Sequence, residues 1–122
     1  MEVKKTVVKI TCELSGKNFS PKKLKEDIND IEYDNYVIED EPFGSKNGFC
    51  SVMIPDRFYL EGDPIGWLAD FVVKNKKIFD KNGVEDISID IFWRNGEIFF
   101  TKEEMKSLAR MKLDVSLSYY IY

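Results

Sequence analysis

The sequence predicts a single α+β domain over residues 1–122: a mainly antiparallel sheet of five to six strands with two to three helices packed on one face, in the order β-α-β-β-α-β-β-α-β. Three observations carry this expectation. Runs with two-residue apolar alternation recur along the chain, two helix starts pair an oxygen-bearing cap with a proline, and an Asn-Gly pair separates two strand-like runs.

From Thr6 to Leu14, the apolar Val8, Ile10, Cys12 and Leu14 alternate with Lys9, Thr11 and Glu13, the period of a strand with one buried face. Ser15-Gly16-Lys17-Asn18 turns the chain. Ser20-Pro21 then opens a helix, since the serine hydroxyl caps it and proline has no N–H to lose at the first position. Leu24, Ile28 and Ile31 form its apolar stripe. A short strand is predicted from Tyr33 to Glu39, followed by a loop of turn formers from Asp40 to Gly48. Phe49 to Ile54 reads as a strand stopped by Pro55.

Asp63-Pro64 repeats the cap-plus-proline start, and Ile65, Trp67, Leu68, Ala69, Phe71, Val72 and Val73 give the following helix a broad apolar face, which marks it as the main core helix. Lys81-Asn82-Gly83 ends it. Ile87, Ile89, Ile91 and Trp93 alternate with Ser88, Asp90, Phe92 and Arg94, and Asn95-Gly96 predicts a tight hairpin into Ile98-Phe99-Phe100. Thr101-Lys102-Glu103-Glu104 has the spacing of a capping box ahead of a short helix. The chain closes on a strand in which Leu113, Val115, Leu117, Tyr119 and Ile121 alternate with Asp114, Ser116, Ser118, Tyr120 and Tyr122.

Composition removes much chemistry. The chain is 43% hydrophobic and 33% charged and contains no histidine, so Ser-His-Asp, Cys-His and HExxH mechanisms are excluded. Cys12 and Cys50 stand in separate apolar runs, outside any CxxC or zinc-ligand spacing, and read as buried thiols in a reducing compartment. Asp86 and Asp90 share a strand face, but four residues put them roughly 13 Å apart, too far for a glycosidase-type carboxylate pair. No phosphate loop, calcium loop or other cofactor motif is present, so no catalytic residue, metal or cofactor is expected. The N-terminus leads into a strand pattern and no apolar run reaches membrane-spanning length, which predicts a soluble cytoplasmic protein without membrane contact.

The charge is unevenly spread. Eighteen basic and 22 acidic residues give a net charge of −4, the wrong sign for gripping nucleic acid. Glu26 to Glu41 contains eight carboxylates and no lysine or arginine, whereas Lys74, Lys76, Lys77 and Lys81 cluster later. Within the acidic stretch, Asp30, Glu32, Tyr33, Asp34, Glu39, Asp40 and Glu41 combine carboxylates that steer a cation with a tyrosine that offers rigid contact area. They are the candidate partner-binding residues.

Two stretches resemble a known family. Ile10-Thr11-Cys12-Glu13-Leu14-Ser15-Gly16-Lys17-Asn18-Phe19-Ser20-Pro21 is similar to the strand, glycine turn and x-Pro helix start of the bacterial "domain of unknown function 4279" family. Phe100 to Val115, followed by Ser116 to Tyr122, resembles that family's closing helix and tyrosine-bearing strand, and the long middle helix with its following strand occupies compatible positions, so the resemblance spans most of the chain outside Tyr33 to Gly62. Tyr33 to Ser51 contains no tryptophan and so lacks the family's tryptophan-bearing segment. The resemblance implies a small cytoplasmic bacterial α+β domain and supplies no catalytic residues.

Size, sign of charge and the lack of catalytic groups together suggest, by analogy of type, a bacterial immunity protein. Such a protein would neutralise a basic toxin domain, most often a nuclease, by offering carboxylates where the toxin accepts phosphates. The alternative is a non-catalytic homo-oligomeric or adaptor module that pairs through its C-terminal edge strand, with Tyr120 and Tyr122 on its outer face; a weak homodimer fits either reading.

Overall fold

The alternation around Ile10, Cys12 and Leu14 places the first strand at the centre of the fold. In the computed structural model, which describes residues 7–28, 37–40, 48–60, 62–94 and 97–119, strand β1 spans Val7–Gly16 and buries those three side chains. It runs antiparallel to β3 (Gly48–Met53), with Cys12 opposite Val52 and Leu14 opposite Cys50. On its other side it runs antiparallel to β4 (Asp86–Trp93), with Ile10 opposite Ile91 and Cys12 opposite Ile89. The short β2 (Val37–Asp40) pairs with β3, and β5 (Val115–Tyr119) lies parallel to β4, giving the order β2-β3-β1-β4-β5.

The helices form where the caps predict them. In α1 (Pro21–Asp27) the Ser20 hydroxyl accepts from the Lys23 N–H at 3.3 Å, and in α3 (Pro64–Lys81) Asp63 Oδ1 accepts from the Gly66 N–H at 3.0 Å. Helix α4 (Lys102–Met111) has the full capping box: Thr101 Oγ1 accepts from the Glu104 N–H at 3.1 Å, and Glu104 Oε1 accepts from the Thr101 N–H at 2.9 Å. Each closes otherwise orphaned backbone donors. At the far end of α3, Gly83 takes φ +86°, which its missing Cβ permits, and any Cβ on Gly16 would strike the Gly83 carbonyl oxygen.

One core unites these elements. Ile65, Leu68, Ala69, Phe71, Val72 and Phe79 of α3 share a buried cluster with Leu24 of α1 and with one face of the sheet, formed by Ile10, Cys12, Leu14, Cys50, Val52, Ile89 and Ile91. Trp67 stacks on Phe71 with ring centroids 5.3 Å apart, a geometry that adds orientation to simple area burial. Helix α4 lies against α3, where Arg110 meets Asp70 at 2.7 Å; both side chains are solvated, so the pair adds little to stability.

The α+β class is as the sequence predicts, but the expected mainly antiparallel sheet of five to six strands with two to three helices is corrected. The sheet is mixed: β3-β1-β4-β5 forms its body, β2 extends one edge by four residues, and β4 and β5 run parallel. There are four helices among the described residues, because Asp56–Leu60 forms an additional α2. At five residues it is too short to show a helical stripe in sequence.

The predicted strand Ile98-Phe99-Phe100 is absent, since Glu97–Phe100 carries no strand; Asn95-Gly96 itself lies outside the described residues. The physical reason is competition for an edge. One side of β4 is held by β1 and the other by β5, while Ile98 and Phe100 pack against the core as a connection into α4. The chain therefore returns through a β4-α4-β5 crossover, and a crossover delivers a parallel strand where a hairpin delivers an antiparallel one. The shorter α1 is a further difference: it stops at Asp27 with Ile28 as its cap, while Ile31 lies outside the described residues.

Candidate functional site

Because the buried side chains of β1, β3 and β4 share the face that packs with α1 and α3, the alternate positions of these strands define a second sheet face. Cross-strand register assembles it into rows. Ser15 stands between Phe49 and Asp86, and Ser51 stands between Glu13 and Glu39. Glu13 also pairs with Ser88, while Asp90 lies between Thr11 and Ser116. Ser118, opposite Phe92, reaches diagonally and donates to both carboxylate oxygens of Asp90, each at 3.0 Å.

The face is thus a lattice of carboxylates separated by hydroxyls. Glu13, Glu39, Asp86 and Asp90 occupy its register positions, against Lys9 as the one cation on its described strands. Glu13 and Asp90 are diagonal neighbours, a separation of roughly 7–8 Å between backbones, which suits separate contacts with a partner better than a proton shared between two acids. Phe49, Met53 and Phe92 are half-buried on the same face and give it apolar contact area.

Of the predicted partner-binding residues, Asp30, Glu32, Tyr33, Asp34 and Glu41 lie outside the described residues, as do Tyr120 and Tyr122. Glu39 and Asp40 are adjacent on β2, opposite Ser51 and Cys50 respectively. Successive strand positions alternate between faces, so the backbone assigns Glu39 to the polar face and Asp40 to a core-face register position. Sequence reasoning missed the contribution of Glu13 and dismissed Asp86 and Asp90 once they failed as a catalytic pair. The signal was present in the polar half of each alternating run, but joining the runs needed the register.

Two cavities adjoin Tyr59, one away from this face and one at its rim, where Lys9 and Met53 join the lining. One, of about 310 Å³, sits where the starts of α3 and α4 converge and is lined by Tyr59, Asp63, Thr101 and Glu104. Its two carboxylates already accept backbone donors as helix caps. The other, of about 470 Å³, is lined by Lys9, Ile10, Met53, Ile54, Asp56, Tyr59 and Leu60. The Tyr59 hydroxyl accepts from the Ile10 N–H at 2.9 Å, and burial raises its pKa, so it remains protonated at neutral pH. Among the described residues, no group of three His, Cys, Asp or Glu side chains is placed to hold a metal ion, and no helix is long and apolar enough to cross a membrane.

Comparison of the chain with protein families, with characterised proteins and with solved structures gives no match.

Proposed function

We propose that this chain is a non-catalytic binding protein that captures a basic protein partner, in the manner of a bacterial immunity protein occupying a toxin domain. The observation that carries the reading is the polar sheet face, where Glu13, Asp86 and Asp90 are held at fixed spacing with the Glu39 position beside them. A rigid sheet presents these acids without the ordering cost a loop would incur. Lysines and arginines of the partner meet the carboxylates, the intervening serines exchange hydrogen bonds, and Phe49, Met53 and Phe92 fill the gaps. The absence of histidine supports binding over turnover.

The acids act first on encounter, so association slows as salt screens them over roughly 8–10 Å. The test is whether this chain copurifies with the product of an adjacent open reading frame that carries a basic domain, followed by titration of that product with Glu13→Gln/Asp86→Asn/Asp90→Asn and, separately, Asp34→Ala/Glu39→Ala/Asp40→Ala. The first triple variant is expected to stay folded and lose at least about tenfold in affinity, with a shallower salt dependence. Undiminished binding by both variants would remove the acidic surface from the account. Loss confined to the second would move the interface to the β2 segment.

A further inference from the structure

We infer that β5 is a self-association edge, through which two copies of this chain pair antiparallel to form one continuous sheet. In the order β2-β3-β1-β4-β5, the last strand has no strand neighbour on its outer side among the described residues. Exposed edges are ordinarily guarded by charge, proline or a bulge. The opposite edge follows that rule, since β2 carries Glu39 and Asp40 in four residues. Val115-Ser116-Leu117-Ser118-Tyr119 contains neither charge nor proline.

Two of its three apolar side chains are also left largely uncovered, while Val115 packs against the core. Leu117 pairs with the fully buried Ile91 and Tyr119 pairs with Trp93, so both stand on the helix side of the sheet, yet they remain 50% and 55% exposed. The Tyr119 ring meets Trp93 edge-on at 4.7 Å, which holds it in place at the rim.

Charge selects the occupant. A cationic partner has no carboxylate to engage along Val115–Tyr119, and a second copy meets no like charge there. An antiparallel pair centred on Leu117 sets Leu117 against its own copy, Val115 against Tyr119 and Ser116 against Ser118, so apolar meets apolar and hydroxyl meets hydroxyl. In this register Asp114 does not fall opposite its own copy. The two-fold axis of such a pair is perpendicular to the sheet and sets both acidic faces on the same side.

A pairing of this length is small for a stable interface, so the dimer is expected to be concentration-dependent, with a dissociation constant in the micromolar range or weaker. Sedimentation from about 10 μM to about 1 mM should show the mass rising toward two chains, with the β5 amides gaining protection from hydrogen exchange over the same range. Leu117→Lys should raise the dissociation constant at least about tenfold. Met105→Lys, at an equally exposed apolar site on α4, should leave it unchanged. Circular dichroism confirms that each variant is folded. A monomer at every concentration, or a dimer weakened by Met105→Lys and untouched by Leu117→Lys, would overturn the inference.

Discussion

Asn82 Nδ2 donates to Asp27 Oδ2 at 2.9 Å and so ties the end of α3 to the end of α1. The same nitrogen donates to the Ile78 carbonyl at 2.9 Å, and the residue is only 5% exposed. Its Oδ1 is buried with no hydrogen-bond partner among the described residues. The cost of that orphaned oxygen is set against a bond to a carboxylate, which is stronger than one between neutral groups.

Removing this tie should be measurable. Asn82→Ala is expected to destabilise the fold by about 1–3 kcal/mol in urea unfolding, since it deprives the half-buried Asp27 of a donor. Asn82→Asp places a second carboxylate beside Asp27, and like charges raise carboxyl pKa values in the folded state. The folded form then holds protons more tightly than the unfolded, so this variant should lose more stability at pH 7 than at pH 4. An Asn82→Ala protein as stable as the parent would show that the bonds of Nδ2 do no more than offset the orphaned oxygen.

The sheet brings Cys12 and Cys50 to diagonal positions of the same buried face, 1% and 0% exposed. Burial, reinforced by Cys50 and by the Glu13 carboxylate, pushes the Cys12 thiol up to about 12 from an ordinary 9.0. Its thiolate is therefore scarce at neutral pH, and a thiol reagent should label neither cysteine until the chain unfolds. Because the folded pKa lies above the unfolded one, the contribution to stability is complete below pH 9 and declines toward pH 12 as the unfolded thiol ionises first. The decline is at most about 1.4 kcal/mol per pH unit. Cys12→Ala should flatten that alkaline limb, and rapid labelling of the native protein would contradict the burial.

Helix α4 ends on Lys112 at φ 55°, the one described non-glycine residue with positive φ. A side chain there costs energy that glycine avoids, although glycine also loses more freedom on folding. The balance favours Lys112→Gly by about 0.5–1 kcal/mol, read as a higher midpoint in thermal unfolding. An unchanged or lower midpoint would mean that the lysine's solvated contacts outweigh the backbone term.

Much of this protein was determined locally, by the sequence itself. The alternation of Ile10, Cys12 and Leu14, the capping oxygens of Ser20, Asp63 and Thr101, and the apolar breadth of Ile65 to Phe79 each state their element within a few residues, because caps and periodicity are short-range physics. The pairing of strands is long-range. Asn95-Gly96 advertises a hairpin, yet the outer edge of β4 goes to β5, twenty-odd residues later, with α4 between them packed against α3. The same competition for an edge decided the polar face. Each alternating run contains its carboxylates and serines, but only register sets Glu13 between Ser51 and Ser88 and turns separate polar halves into one surface.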